Sequence, residues 1–302
     1  MTPYLLPKGN VKIAFSGGRT SGYMLHKILT VNGDLPERCK VLFANTGREM
    51  PETLDFVQEC SQRWNVPITW LEYKNDDNGV GFKVASHNAA SRNGEPFDNL
   101  IAKKRRLPNV FERFCTQEMK VRTMRRYLVS LGWKKWHSAV GIRADEAHRA
   151  KPQKDSKETT YWPLLEAMVT HRDVMEFWGK QRYGFGHDLR VTKGFGNCDG
   201  CFLKSEQTLA TLWRLHPDRA QWWSDQEERI FEGKCRSKQH LQTFKRRSDK
   251  GQSYKQLGDF VSRQGDWIFD AKEFFCQQDD GELSLIHISE PTRLLSIAYA
   301  VF

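Results

Sequence analysis

A chain of 302 residues with 39% apolar side chains can bury one large core or two small ones, and no run approaches the roughly 18 to 20 uncharged apolar residues of a membrane span. The N-terminus has no basic cluster followed by an apolar stretch and a small-residue cleavage site, so a cytoplasmic protein is expected. Seven cysteines argue against a secreted disulfide scaffold, and a formal net charge of +10 points to a polyanionic partner, either nucleic acid or a phosphorylated small molecule.

In chain order, VKIAF (11–15) is a strand ended by two glycines, and the segment from Ser21 to about Thr30 is apolar at helical spacing. KVLFANTG (40–47) reads as a second strand, followed by a helix with Pro51 at its start, and ITWLEY (68–73) as a third. Strands alternating with helices of this length predict βαβ units and an α/β fold, a doubly wound parallel sheet. Residues 75–110 are polar and predict a long surface loop or insertion. FCTQEMKVRTMRRYLVSLG (114–132) predicts a helix with a basic face stopped at Gly132, and about Trp136 to Val140 a further strand. Thr170 with Asp173 three residues on predicts a capping box. VTKGFGNCDGCFLKS (191–205) is a glycine-rich loop, and residues 206–282 read as a helical, aromatic accessory segment after a core of 1–205.

Residues 283–302 break with this pattern. LSLIHISEPTR resembles the in-frame translation of a sequencing-library adapter, so the expectation is a phage or metagenomic gene truncated near Glu282.

A strand that stops at Gly-Gly and opens a helix gathers backbone N–H groups and the helix dipole at one point, a site for phosphate. Ser16, Thr20 and Ser21 add hydroxyls, Gly17 and Gly18 allow close approach, and Arg19 adds charge. The alternative is a tight strand-to-helix turn with a serine cap. Cys198 and Cys201 form a CxxC, spacing that lets two thiolates reach one metal. Cys39 and Cys60 lie in apolar or helical surroundings and read as core. Basic runs such as KKRR (103–106), with Trp213, Trp222 and Trp223, suggest either a nucleic-acid surface or solvated charge around core tryptophans.

SGGRTS resembles the SGGxDS loop of the PP-loop ATP pyrophosphatases. NTGREMPET, FCTQEMK, VGIRADEAHR, YWPLLEAMVTHRDVMEFW and GNCDGC are similar, in order, to segments of the phosphoadenosine phosphosulfate (PAPS) reductase family, over about residues 11–204. The resemblance implies an adenine nucleotide such as ATP held by Ser16, Gly17, Gly18, Arg19, Thr20, Ser21, Thr46, Gly47, Gly141 and Arg143, with Lys120 and Arg149 against a substrate anion. On the residues alone, Arg143 and Arg149 around Asp145 and Glu146 are equally a surface ion-pair cluster. Thr20 stands where the loop usually has an acid, which bears on magnesium and phosphate handling. No Glu-Cys-Gly-Leu/Ile-His motif of the family's reductases precedes residue 283.

Cys115 lies where iron–sulfur members of the family carry a cysteine pair, but Phe114 takes the first position. Cys115, Cys198 and Cys201 therefore imply a three-cysteine [4Fe–4S] cluster; zinc completed by Cys235, Cys276 or a histidine, or plain buried thiols, are the alternatives. His148, His171 and His187 read as structural or surface residues. Three functions follow as expectations. The first is ATP-dependent adenylation and thiolation of a base or small molecule, possible partners being tRNA or DNA and a thiol or sulfur-donor protein. The second is sulfonucleotide reduction releasing sulfite, and the third a non-catalytic nucleotide or nucleic-acid binding module with structural metal.

Overall fold

The computed structural model describes residues 2–76, 78–151, 157–181, 194–232, 244 and 253–264. Its strands are β1 (Val11–Phe15), β2 (Cys39–Asn45), β3 (Ile68–Asp76), β4 (Gly79–Ala85), β5 (Trp136–Ala139) and β6 (Glu158–Tyr161). They form one sheet in the order β4–β3–β2–β1–β5–β6, parallel throughout except for the antiparallel pair β3–β4. β1 and β2 are almost wholly buried because both their faces are covered, as central parallel strands require. β4 is half-solvated at the edge, where Lys83 and two glycines discourage further pairing.

Side chains alternate across the sheet, so β2 serves two cores at once. On one face Val41 and Phe43 join Val11, Ile13 and Phe15 beneath α1 (Arg19–Asn32), α2 (Pro51–Arg63) and α6 (His171–Lys180). On the other, Leu42, Ala44 and Leu71 meet Met124 and Leu128 of α4 (Thr123–Ser130). A third core gathers Phe97, Leu100 and Ile101 of α3 (Glu95–Lys104) with Trp223 and Tyr254. The last two come from α8 (Pro217–Glu232) and α9 (Tyr254–Gln264), which pack with α7 (Glu206–Leu215); the short α5 is Pro163–Glu166. Helices on both faces make this the doubly wound α/β sheet expected.

Of the surface loop or insertion expected over 75–110, the loop is corrected: that stretch holds β4 and α3. Its Asn, Lys and Arg hid a short apolar stripe, and Phe97, Leu100 and Ile101 fall on one helical face only one and a half turns long. The nucleic-acid reading of the tryptophans is corrected for Trp223, which is 1% exposed and packs against Phe97, Phe244 and Tyr254. The helix expected from residue 114 is in two parts, a π-helical segment Thr116–Arg122 followed by α4. The capping box of Thr170 and Asp173 is present, and Cys39 and Cys60 are buried in the core. Cys235, Cys276, His187 and residues 283–302 lie outside the described residues.

β1 has β2 on one side and β5 on the other, with the chain progressing outward both ways. The loops leaving their carboxyl ends therefore diverge and open a crevice, where open α/β sheets bind ligands.

Candidate functional site

The loop after β1 is tied around Ser21. The Ser16 N–H donates to Ser21 Oγ (3.1 Å), the two hydroxyl oxygens stand 3.0 Å apart, and the Ser21 hydroxyl donates to the Gly18 carbonyl (2.9 Å). Gly18, the residue before α1, supplies no side-chain cap, so the first-turn N–H groups face out of the helix end. Gly17 has φ +79°, and a Cβ there would stand 2.8 Å from Thr53 Cγ2. Arg19 is anchored to α6: its guanidinium reaches Met175 Sδ (3.0 Å), and its carbonyl accepts from Trp178 Nε1 (3.0 Å).

Gly141, just beyond β5, closes against Ser21; a Cβ on it would lie 3.5 Å from Ser21 Cα. Arg143 donates from Nη1 to Thr20 Oγ1 (2.9 Å) and is steadied by Asp145 (3.1 Å) and Glu146 (3.4 Å). Thr20 thus gives the loop a neutral oxygen beside a guanidinium. Arg149 is paired with Glu146 (2.6 Å).

The loop after β2 builds a second centre next door. Thr46 donates from its N–H and its hydroxyl to Glu49 Oε2 (2.9 and 2.8 Å). Its hydroxyl oxygen lies 3.2 Å from Cys198 Sγ, and since the hydroxyl proton is committed to Glu49, the Cys198 S–H is the donor. The CxxC loop is stitched on by a β-bridge between Glu49 and Cys198 and by the Asp199 N–H on the Arg48 carbonyl (2.8 Å). Asp199, fully buried, accepts from Arg48 Nη2 (3.0 Å), Arg219 Nε and Trp223 Nε1 (2.8 Å). Gly200 is pressed on Trp223 so closely that a Cβ would meet Nε1 at 2.3 Å.

Cys115, immediately before the π-helical segment, interacts electrostatically with Cys201, and both act on Lys120, as do Cys198 and Glu49. Burial pushes the Cys115 thiol up to about 11 and Cys198 well above the ordinary thiol range. Burial works against the Lys120 ammonium, but the combined field of Cys198, Glu49, Cys201 and Cys115 outweighs it and raises its pKa. Lys204 is buried with its pKa lowered, chiefly by burial, and its ammonium donates to the Gly194 (2.7 Å) and Gly196 (2.8 Å) carbonyls.

The structure thus brings the predicted residues together as two neighbouring groups: Ser16–Ser21 with Gly141 and Arg143, and Thr46 and Gly47 with Lys120, Cys115, Cys198 and Cys201. Arg48, Glu49, Asp199, Lys204 and Arg219 escaped sequence reasoning. The one available signal was an acid inside the CxxC. Three thiols are of the right softness for iron–sulfur or zinc chemistry. Among the described residues, however, no three of His, Cys, Asp and Glu are arranged to hold a metal ion. No described helix is long and apolar enough to cross a membrane.

Comparison with known proteins identifies relatives and a family. The chain is similar to the uncharacterized nin region protein ORF290 of Escherichia phage lambda, 29% identical over 204 residues, covering 65% of this chain and 67% of that protein. It is also similar to an uncharacterized 37.8 kDa protein of Escherichia phage 186, 25% identical over 252 residues, covering 70% and 73%. The crystal structure of PAPS reductase from Candida auris in complex with phosphate superposes with a TM-score of 0.42 at 17% identity, covering 62% of this chain and 79% of that one. The family model described as phosphoadenosine phosphosulfate reductase domain matches residues 10–180, and the chain belongs to that family.

Proposed function

We propose that this protein binds an adenine nucleotide at the phosphate loop and transfers sulfur with the thiols beside it. The observation that carries the reading is the wall the two centres share: Thr46 meets Cys198, and Thr53, on the helix that follows, stands against Gly17. The Gly17 N–H and the N–H groups at the start of α1 hold the phosphates of ATP in a loop that Ser16 and Ser21 shape, and Arg143 sets the charge beside Thr20. A carbonyl oxygen of a base or small molecule attacks the α-phosphorus and pyrophosphate leaves. Sulfide from a donor then adds to the activated carbon and AMP departs, leaving a thiocarbonyl. Lys120 and Lys204 supply the positive field that holds the incoming sulfur anion. Cys115, Cys198 and Cys201 are the residues that would hold an iron–sulfur or zinc centre, which when bound offers sulfide a soft coordination position.

A second reading, reduction of a sulfonucleotide, is favoured by the family match over residues 10–180. There one thiolate takes the sulfonyl group, breaking its S–O bond and releasing the nucleotide. A second thiolate then displaces sulfite and leaves a disulfide.

The test offers ATP, adenylyl sulfate and PAPS separately to the anaerobically purified chain, with bulk tRNA and DNA present, and resolves the products by chromatography. AMP and pyrophosphate from ATP support activation; sulfite from either sulfonucleotide supports reduction. Absence of all three products overturns both readings.

A further inference from the structure

Residues 103–126 contain nine lysines and arginines and two carboxylates, a surplus of seven in a chain whose formal net charge is +10. The two acids are already engaged. Glu112 pairs with Arg106 (2.7 Å), and buried Glu118 is shared by Lys104 (3.0 Å), Arg122 (2.8 Å) and Arg126 (3.4 Å). Those three cations come from α3, the π-helical segment and α4, so the fold draws cations of three segments to a single carboxylate that they outnumber.

Lys103 and Lys104 complement the C-terminal dipole of α3, but that account stops at the helix end. Arg105 and Arg113 lie beyond it and are exposed, as is Arg122. Between Arg105 and Arg113 in the sequence, Phe111 is 68% exposed and Val110 40%, four and five residues before the half-buried Cys115. Exposed cations repel one another unless a polyanion neutralises them, and an exposed aromatic ring amid cations is the platform on which unpaired bases stack.

We propose that this basic segment binds a single-stranded nucleic acid, with its phosphates on Lys103, Arg105, Arg113 and Arg122 and an unpaired base stacked on Phe111, four residues before Cys115. The proposal deepens the sulfur-transfer reading, and rests on it, in naming a nucleic-acid base as the acceptor. The binding itself needs no turnover.

The test is fluorescence anisotropy of a fluorescein-labelled thirty-nucleotide oligo(dT) with the full chain, without nucleotide, over a salt series. Four phosphates neutralised at about −0.7 each predict a slope of roughly −3 in log K against log salt. Charge reversal at two positions, Arg105→Glu with Arg113→Glu, is expected to weaken binding at least tenfold and flatten that slope, with the melting temperature held as a folding check. Phe111→Ala is expected to weaken binding about tenfold with the slope unchanged, since stacking releases no counterions. No binding in low salt, insensitivity to the charge reversal, or equal affinity for the strand in duplex form overturns the proposal. Adsorption to phosphatidylserine vesicles without strand binding overturns it in favour of a lipid surface. Strand binding without AMP, pyrophosphate or sulfite in the product assay keeps this surface and sinks the sulfur chemistry; turnover without strand binding does the reverse.

Discussion

The phosphate loop and the thiol centre share a wall but are made in opposite ways. The loop is six consecutive residues whose own serines close it, so its shape is written locally. The thiol centre takes Thr46 and Glu49 from one loop, Cys115 and Lys120 from another segment, and Cys198 to Lys204 from a third, and it is locked by Arg219 and Trp223 of α8. A local device withstands changes elsewhere in the chain. A device assembled across some 150 residues stands or falls with the contacts that join its parts.

The largest expected effect follows at the joint. Asp199 is the sole carboxylate between the buried guanidinium of Arg48 and that of Arg219 among their described ion pairs. Asp199→Ala strands those charges and is expected to cost about 3–5 kcal/mol, near 10 °C in Tm. Calorimetry of the variant checks it, and a Tm within two degrees of the parent would break the contrast drawn above.

Next comes a pH effect on the same joint. Glu227 is 2% exposed and accepts the N–H groups of Phe244 (3.0 Å) and Tyr254 (2.8 Å), where α9 begins. Burial lifts its carboxyl to about 7 from the ordinary 4.5. The folded state therefore holds this proton more tightly than the unfolded chain. Its contribution is complete below pH 4.5 and is lost as pH rises through 7, about 3 kcal/mol at roughly 1.4 kcal/mol for each pH unit. Since Tyr254 donates its hydroxyl to the Gly200 carbonyl, alkaline loosening of α9 reaches the CxxC loop. Denaturant titrations from pH 5 to 8 should show the fall, and Glu227→Gln should flatten it. An unchanged slope in that variant would locate the titration elsewhere.

The same contrast explains what the sequence made legible. Strand–Gly-Gly–helix, the capping box and the alternation of strands with helices are short-range patterns, and each appears where read. β4 and α3 were missed because an edge strand needs no apolar run and the stripe of α3 is only four residues long, Pro96, Phe97, Leu100 and Ile101. The tryptophans of α8 looked equally suited to stacking or packing, and only the arrival of Phe97 and Tyr254 from distant segments decides for Trp223. Nothing near Asp199 in sequence announces Arg48 or Arg219, because ion pairs leave no periodic trace.

The loop has its own failure point. Gly17→Ala places a Cβ at φ +79° and 2.8 Å from Thr53 Cγ2, and is expected to cost about 2 kcal/mol in conformational strain and crowding. Titration calorimetry should show ATP or PAPS affinity falling about tenfold, while alkylation of the thiols proceeds at the parental rate. A matching change in thiol reactivity would mean the two centres move as one.

The smallest effect tests how far the loop's independence extends. Thr170→Ala removes a hydroxyl from the capping box of α6, whose N–H and hydroxyl both donate to Asp173 (2.7 and 2.6 Å), and is expected to cost about 1 kcal/mol. α6 also buttresses the phosphate loop, but through Met175 and Trp178, beyond the first turn that the cap secures. Trp178 is 3% exposed and lies against Phe56 and Phe177, packing that does not depend on Thr170. Fraying of the first turn should therefore lower Tm by roughly 2–4 °C and leave nucleotide affinity within twofold. A larger loss of affinity would show that the orientation of α6 reaches the loop through Arg19, and that even the locally written device depends on a contact about 160 residues away.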